Sequence, residues 1–383
     1  AFTEDIVLSY LNDIYPDAYV KVTSIDSQAG KVLDTRDTNL ISSQLCFFHS
    51  DINFSALGNM IIHKFNDKND IYENDDTQFR KINPPIQLGK DPAYSPILIS
   101  PDESILIVKT YNQDKQWALL RFYDFIKYTM KAEYKVPYSD YMQMNEDASV
   151  LLITDPTGWI RIVERKDNEF MEFPTNISKG RIYDSQISYD GKRIVYQRFL
   201  GDYKYKLSYI DRLIDGWSEP KDIPLKDENG NDIIFPQIFI YDLANNGKTI
   251  LFNFYYDFIF DRKPAIIHEI NGSLTNPEYI EYELRDVGTR YDKGVGEQFL
   301  ISEDGNVIAV QNLVKVWGGN TYFYEVYVLL KSPEGKWIRH NINPEGILVA
   351  PDMFLTKDGS KLFWLPTGLP GSVPSSVRNA MQY

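Results

Sequence analysis

Short apolar runs broken by polar turns recur along this chain of 383 residues. Around one turn, Phe299-Leu300-Ile301 precedes and Val307-Ile308-Ala309-Val310 follows. Runs this short, bounded by Ser, Asp and Gly, predict strands rather than helices. The turn has a recurring form, Ser-x-Asp-Gly. Its copies are Ser55-Ala56-Leu57-Gly58, Ser100-Pro101-Asp102-Glu103, Asn145-Glu146-Asp147-Ala148, Ser188-Tyr189-Asp190-Gly191, Ala244-Asn245-Asn246-Gly247, Ser302-Glu303-Asp304-Gly305 and Thr356-Lys357-Asp358-Gly359. The Asp-Gly pair supplies the positive backbone angle that a tight hairpin needs. The first, third and fifth copies are degenerate.

The copies repeat every 43–58 residues, close to the about 40–50 residues of a four-stranded propeller blade. Two further strands follow each turn. They are expected at 117–123 and 128–136 in the second repeat, 205–210 and 217–225 in the fourth, and 322–330 and 336–341 in the sixth. The seventh repeat runs out after two strands, near 349–356 and 361–365. Two spare strand candidates near the amino terminus, 19–25 and 31–34, would complete it and close the ring. The carboxy-terminal 375–383 is the alternative donor. The expected fold is therefore all-β, a seven-bladed β-propeller forming one domain over residues 19–383. Residues 1–18 read differently. Ile6, Val7, Tyr10, Leu11 and Ile14 recur at helical spacing and Pro16 ends the run, predicting a short lead-in helix.

Composition narrows the partners. The net charge is −14 and the pI about 4.8. Such a surface repels phosphate backbones and anionic membranes, so neither nucleic acid nor an acidic bilayer is expected. No apolar window of about 18 residues occurs, so no membrane-spanning helix is expected. A single cysteine, Cys46, excludes an internal disulfide. Ala1 followed by Phe2-Thr3-Glu4-Asp5 fits a processed start.

No metal, cofactor or catalytic residue is expected. His49, His63, His268 and His340 lack metal-ligand spacing. The polar stretch 66–76, with Asp67, Asn69 and Asp70, and a second with Asp227, Asn229 and Asp232, lack the spacing of a calcium loop. Both read as structural turns. Loops carry function on such a scaffold. The face opposite the Asp-Gly turns gathers Tyr111, Trp159, Arg198, Tyr256, Asp257 and Trp317 as candidate partner- or ligand-binding residues. The aromatic content leaves a carbohydrate ligand open.

The best turn copies, Ile187-Ser188-Tyr189-Asp190-Gly191-Lys192 and Ile301-Ser302-Glu303-Asp304-Gly305, resemble the TolB-type, WD40-like propeller repeat. So does Gly216-Trp217-Ser218-Glu219-Pro220, read as a blade junction. The resemblance implies a periplasmic, cell-surface or secreted protein acting through protein contacts, and it supplies no catalytic residue. The leading expectation is a non-enzymatic binding or scaffold propeller. A lactonase-, lyase- or glycosidase-like enzyme with a site in the central channel is one alternative. A structural subunit of a surface assembly or filament is the other.

Overall fold

A computed structural model describes residues 19–41, 51–65, 68–74, 78–82, 97–111, 114, 116–137, 141–154, 160–166, 169–173, 182–201, 204–225, 237–255, 262–280, 295–315, 322–342 and 353–364. The expected helix before Tyr19 lies outside them, as do Cys46, His49 and the Asp227 segment. Every regular element described is a strand. The strands form seven antiparallel sheets of four positions each, and the fold is a seven-bladed β-propeller. Blades one to six span 51–82, 97–137, 141–173, 182–222, 237–279 and 295–341. Within each of them the chain adds neighbouring strands in sequence order.

The seventh blade takes Met353–Leu355 and Lys361–Trp364 from the carboxy-terminal part. Tyr19–Asp26 and Lys31–Ile41 complete it. Residues 21–24 pair antiparallel with 361–364. Trp364 Nε1 donates to Thr23 Oγ1 across this seam (3.2 Å). The spare amino-terminal strands thus fill the blade as the repeat count requires.

The described strands group into two compact units. One comprises Ala1–Asp51, Glu73–Arg80 and Glu281–Tyr383, and the other Ile52–Tyr72 and Lys81–Ile280. Each packs its blades face to face through alternating side chains. In the second unit, Ile105 and Ile107 of blade two meet Leu151 and Ile153 of blade three. Val150 and Leu152 then meet Ile194 and Tyr196 of blade four. Val195, of opposite parity, turns to Ile240 and Phe252 of blade five. In the first unit, Val307 and Ala309 meet Leu362 and Trp364. Period-two alternation alone assigns each side chain of a second strand to one neighbour or the other.

The fourth residue of every turn has a positive φ: Gly58, Glu103, Ala148, Gly191, Gly247, Gly305 and Gly359 lie between 53° and 77°. The first and third copies keep the fourth-to-first backbone hydrogen bond of the complete ones, whereas the fifth has positive φ at Asn245 and Asn246 as well and closes from Lys248 N to Asn245 O. At Gly191 a second reason applies. A Cβ there would stand 2.7 Å from the Asn145 amide of the preceding blade.

Two expectations need correction. The stretch 66–76 is not a loop, because Lys68–Asn74 is the third strand of blade one. Among its described side chains only Ile71 is buried, at 1 % exposure, so hydropathy did not mark it. Asp70, weighed for calcium, is ion-paired to Lys81 at 2.7 Å. The single strand expected over 217–225 is two short pieces, Gly216–Trp217 and Lys221–Asp222. Pro220 cannot donate to the ladder. Ser218 Oγ instead accepts the Asp211 N–H (3.0 Å). Blade five repeats the break, with Thr275 Oγ1 accepting the His268 N–H before Pro277.

Candidate functional site

Antiparallel order gives each blade two ends. The Ser-x-Asp-Gly turns and the third-to-fourth turns share one, and the second-to-third loops share the other. Of the six candidate residues, Tyr111 and Arg198 are described. Trp159, Tyr256, Asp257 and Trp317 lie outside the described residues. Tyr111 and Arg198 both stand near the loop end of a second strand, Ile105–Tyr111 and Arg193–Gly201. Tyr111 packs on the core between blades two and three, and the Lys109 ammonium lies 4.9 Å from its ring centre.

A feature missed in the sequence appears beside both. The ninth residue after the first turn position is polar in six repeats: Lys64, Lys109, Thr154, Gln197, Asn253 and Gln311. All but Lys64, which follows His63, come directly after an apolar run, so the signal was readable once the turns were aligned. Lys109, Gln197 and Gln311 are buried at 3 %, 1 % and 4 % exposure. A buried polar side chain costs stability unless its hydrogen bonds are satisfied. The Gln197 Nε2 is buried without a hydrogen-bond partner. Buried hydroxyls such as Ser55, Ser100, Ser188 and Ser302 occur at the turn end too, but they donate to carboxylates, whereas at the loop end the Gln197 amide nitrogen has no acceptor.

One polar group at the loop end lies in blade four. Tyr196 and Arg198 project to one face of the second strand, and their register partners on the third strand are Ser208 and Lys206. The piece after the Pro220 break brings Asp222 opposite Ser208. Asp222 collects Arg198 Nη2 (2.9 Å), Lys206 Nζ (3.0 Å) and Ser208 Oγ (2.9 Å). Burial pushes its carboxyl up, but the Lys206 and Ser208 hydrogen bonds and the Arg198 charge hold it below the usual carboxylate range. Two cations surround one carboxylate. Tyr196 is fully buried beneath them. Burial pushes its phenol up to about 12, with Arg198 and Asp222 both within electrostatic reach. The Tyr196 hydroxyl and Arg198 Nε are buried without hydrogen-bond partners.

Other groups do less. A small groove in the first unit is lined by Phe79 and Phe363 with Arg36, Asn74, Gln78 and Lys361. Those four polar residues already have partners. His268 Nδ1 lies 3.1 Å from Thr249 Oγ1. No group of three or more metal-ligating side chains occurs among the described residues. At the turn end of the second unit, Ile126, Ile214 and Ile270 face solvent at 82 %, 101 % and 58 % exposure.

No protein-family model matches the chain, and no characterised protein matches its sequence. Solved structures do match in fold. Prolyl oligopeptidase B from Galerina marginata, bound to a 35mer hydrolysis and macrocyclization substrate, is 13 % identical with a TM-score of 0.52; the match covers 82 % of this chain and 46 % of that one. This chain thus spans about half the oligopeptidase's length. The β-propeller domain of Myceliophteria thermophila Cps50 (Swd1) is 12 % identical over 83 % of this chain and 96 % of that one, at a TM-score of 0.49. A putative TolB from Agrobacterium tumefaciens is 14 % identical over 91 % and 98 %, at 0.44. At such identities the likeness is one of fold. The shared fold is the β-propeller.

Proposed function

We propose that this propeller is a non-enzymatic binding protein that takes a protein partner at the loop end of its blades, around Tyr111 and Arg198. The observation that carries this reading is the buried polar layer at that end, with donors in blade four left without acceptors. Packing alone favours apolar residues at these positions. Polar groups held there at a cost to stability are what a binding site retains. Trp159, Tyr256, Asp257 and Trp317, expected from the sequence as further binding residues, belong to the same proposal. A periplasmic, cell-surface or secreted location, implied by the turn resemblance, belongs to the same proposal.

The test is capture of partners from the native source by wild type and by a Tyr111→Ala/Arg198→Ala variant of equal melting temperature. The variant is expected to lose the captured protein at least tenfold. Equal capture by both proteins would overturn the reading.

A further inference from the structure

We propose that the Tyr196–Arg198–Lys206 face of blade four is a carboxylate seat, which anchors a partner peptide through one carboxylate group. The inference rests on the protein-binding reading above and names the chemistry its partner must carry.

The seat follows from strand geometry. Tyr196 and Arg198 are two residues apart on one strand and share a face. Ser208 and Lys206 stand directly opposite them. The Pro220 break then sets Asp222 beside Ser208. The side chains of Arg198, Lys206 and Asp222 are 26 %, 45 % and 41 % exposed, so the outer part of the group is wet. Its floor is dry, with Tyr196 at 0 % exposure.

Charge and donors point to the same ligand. Arg198 and Lys206 outnumber Asp222 by one positive charge. Asp222 satisfies Arg198 Nη2, Lys206 Nζ and the Ser208 hydroxyl. Two buried donors remain without acceptors, the Tyr196 hydroxyl and Arg198 Nε–H. The raised phenol keeps its proton at every physiological pH, so it donates and does not compete as an anion. One negative charge with two acceptor oxygens completes the group, and a carboxylate is that ligand. An arginine and a phenol donating to one carboxylate form charge-assisted hydrogen bonds, stronger than those a water would make. A water would satisfy the donors but leave the positive charge in place.

The experiment titrates the full chain with three probes: acetyl-tetraalanine with a free carboxy terminus, its carboxy-terminal amide, and the amide with one internal glutamate. Ligand binding raises the melting temperature by mass action. A rise is expected with at least one carboxylate-bearing peptide and not with the plain amide. The free terminus and the glutamate peptide distinguish a chain end from an acidic side chain. Arg198→Met should abolish the rise. Tyr196→Phe, which removes one oxygen and keeps the ring, should weaken the apparent affinity about tenfold. Flat titrations with all three peptides would overturn the seat, as would a rise that survives Arg198→Met. A filled site holding only water gives the flat result. Partner capture lost in the Tyr111→Ala/Arg198→Ala variant together with flat titrations would remove the seat and leave protein binding standing. Carboxylate binding without any captured partner would do the reverse.

Discussion

At the residue scale the turns show how a copy that lacks its Asp keeps its hydrogen bonds. In complete copies the first residue accepts a backbone N–H five positions on and donates to the Asp. Ser100 Oγ accepts from Ile105 N (2.9 Å) and donates to Asp102 (2.6 Å). The first copy has Leu57 where the Asp belongs. There the Ser55 hydroxyl donates to Glu103, which occupies the glycine position of the second copy. The second copy thus supplies the acceptor that the first lacks. Glu103→Ala should destabilise the protein by about 1.5–3 kcal/mol, the scale of a lost charged hydrogen bond. Leu57→Asp should recover more stability in that variant than it adds to wild type, as a double-mutant cycle in urea would show. Gly191→Ala combines a positive φ with a 2.7 Å approach to Asn145, whereas Gly30 has a positive φ and open space. Gly191→Ala should therefore cost about 1–3 kcal/mol more than Gly30→Ala. The orphan Tyr196 hydroxyl predicts the opposite sign. Without ligand, Tyr196→Phe should leave the melting temperature unchanged or raise it.

Titration at this scale has a definite direction. Burial pushes the Asp358 carboxyl up, but Thr356 and Ser360 hydrogen bonds hold it below its ordinary value. Burial likewise acts on Asp147, where Ser149 and Asn145 prevail. The unfolded chain then binds more protons than the native one as pH falls through the carboxylate range. The stabilisation is present above the unfolded value, about 4, and is lost below it. His340 is lowered by burial, so its contribution is present above about 6.5 and is lost as pH falls through its lower folded value. His340→Gln should flatten the stability profile just below neutrality. Asp358→Asn should flatten it only in the acid limb.

At the scale of the strand and the blade, most of the architecture was legible. Turns with φ-positive fourth residues marked all seven blades, including the copy that ends in Ala148. The spare strands at 19–41 identified the donor of the last blade. What hydropathy missed was the strand Lys68–Asn74, where Ile71 is buried and Tyr72, Glu73 and Asn74 are not; over 217–225 it missed the break that leaves Lys221–Asp222 as an exposed piece. Outer strands have one wet face and few apolar positions, so alternation fades there. The candidate site was half legible. Tyr111 and Arg198 were found as loop-end residues. Tyr196, Gln197 and Lys109 were absorbed into apolar runs, and only alignment on the turns separates them. The seam in blade seven carries its own prediction. Removing 19–41 takes away two of four strands and exposes the Lys361–Trp364 edge. That variant should be insoluble or fail to melt cooperatively, whereas Thr23→Val, which removes the Trp364 partner, should cost about 1 kcal/mol.

At the scale of the whole molecule, a net charge of −14 surrounds a local excess of positive charge at Arg198 and Lys206. The bulk charge disfavours acidic partners at long range, and the seat favours a carboxylate at contact. Rising salt should therefore screen the distant repulsion more than the partly buried seat. The apolar tips Ile126, Ile214 and Ile270 mark the other end of the blades and provide the internal comparison. The most direct measurement is partner capture from the native source with three matched proteins: wild type, Tyr111→Ala/Arg198→Ala, and Ile126→Ser/Ile214→Ser/Ile270→Ser. The account predicts that the loop-end variant loses the partner while the turn-end variant keeps it. Loss in the turn-end variant with full capture by the loop-end variant would contradict it.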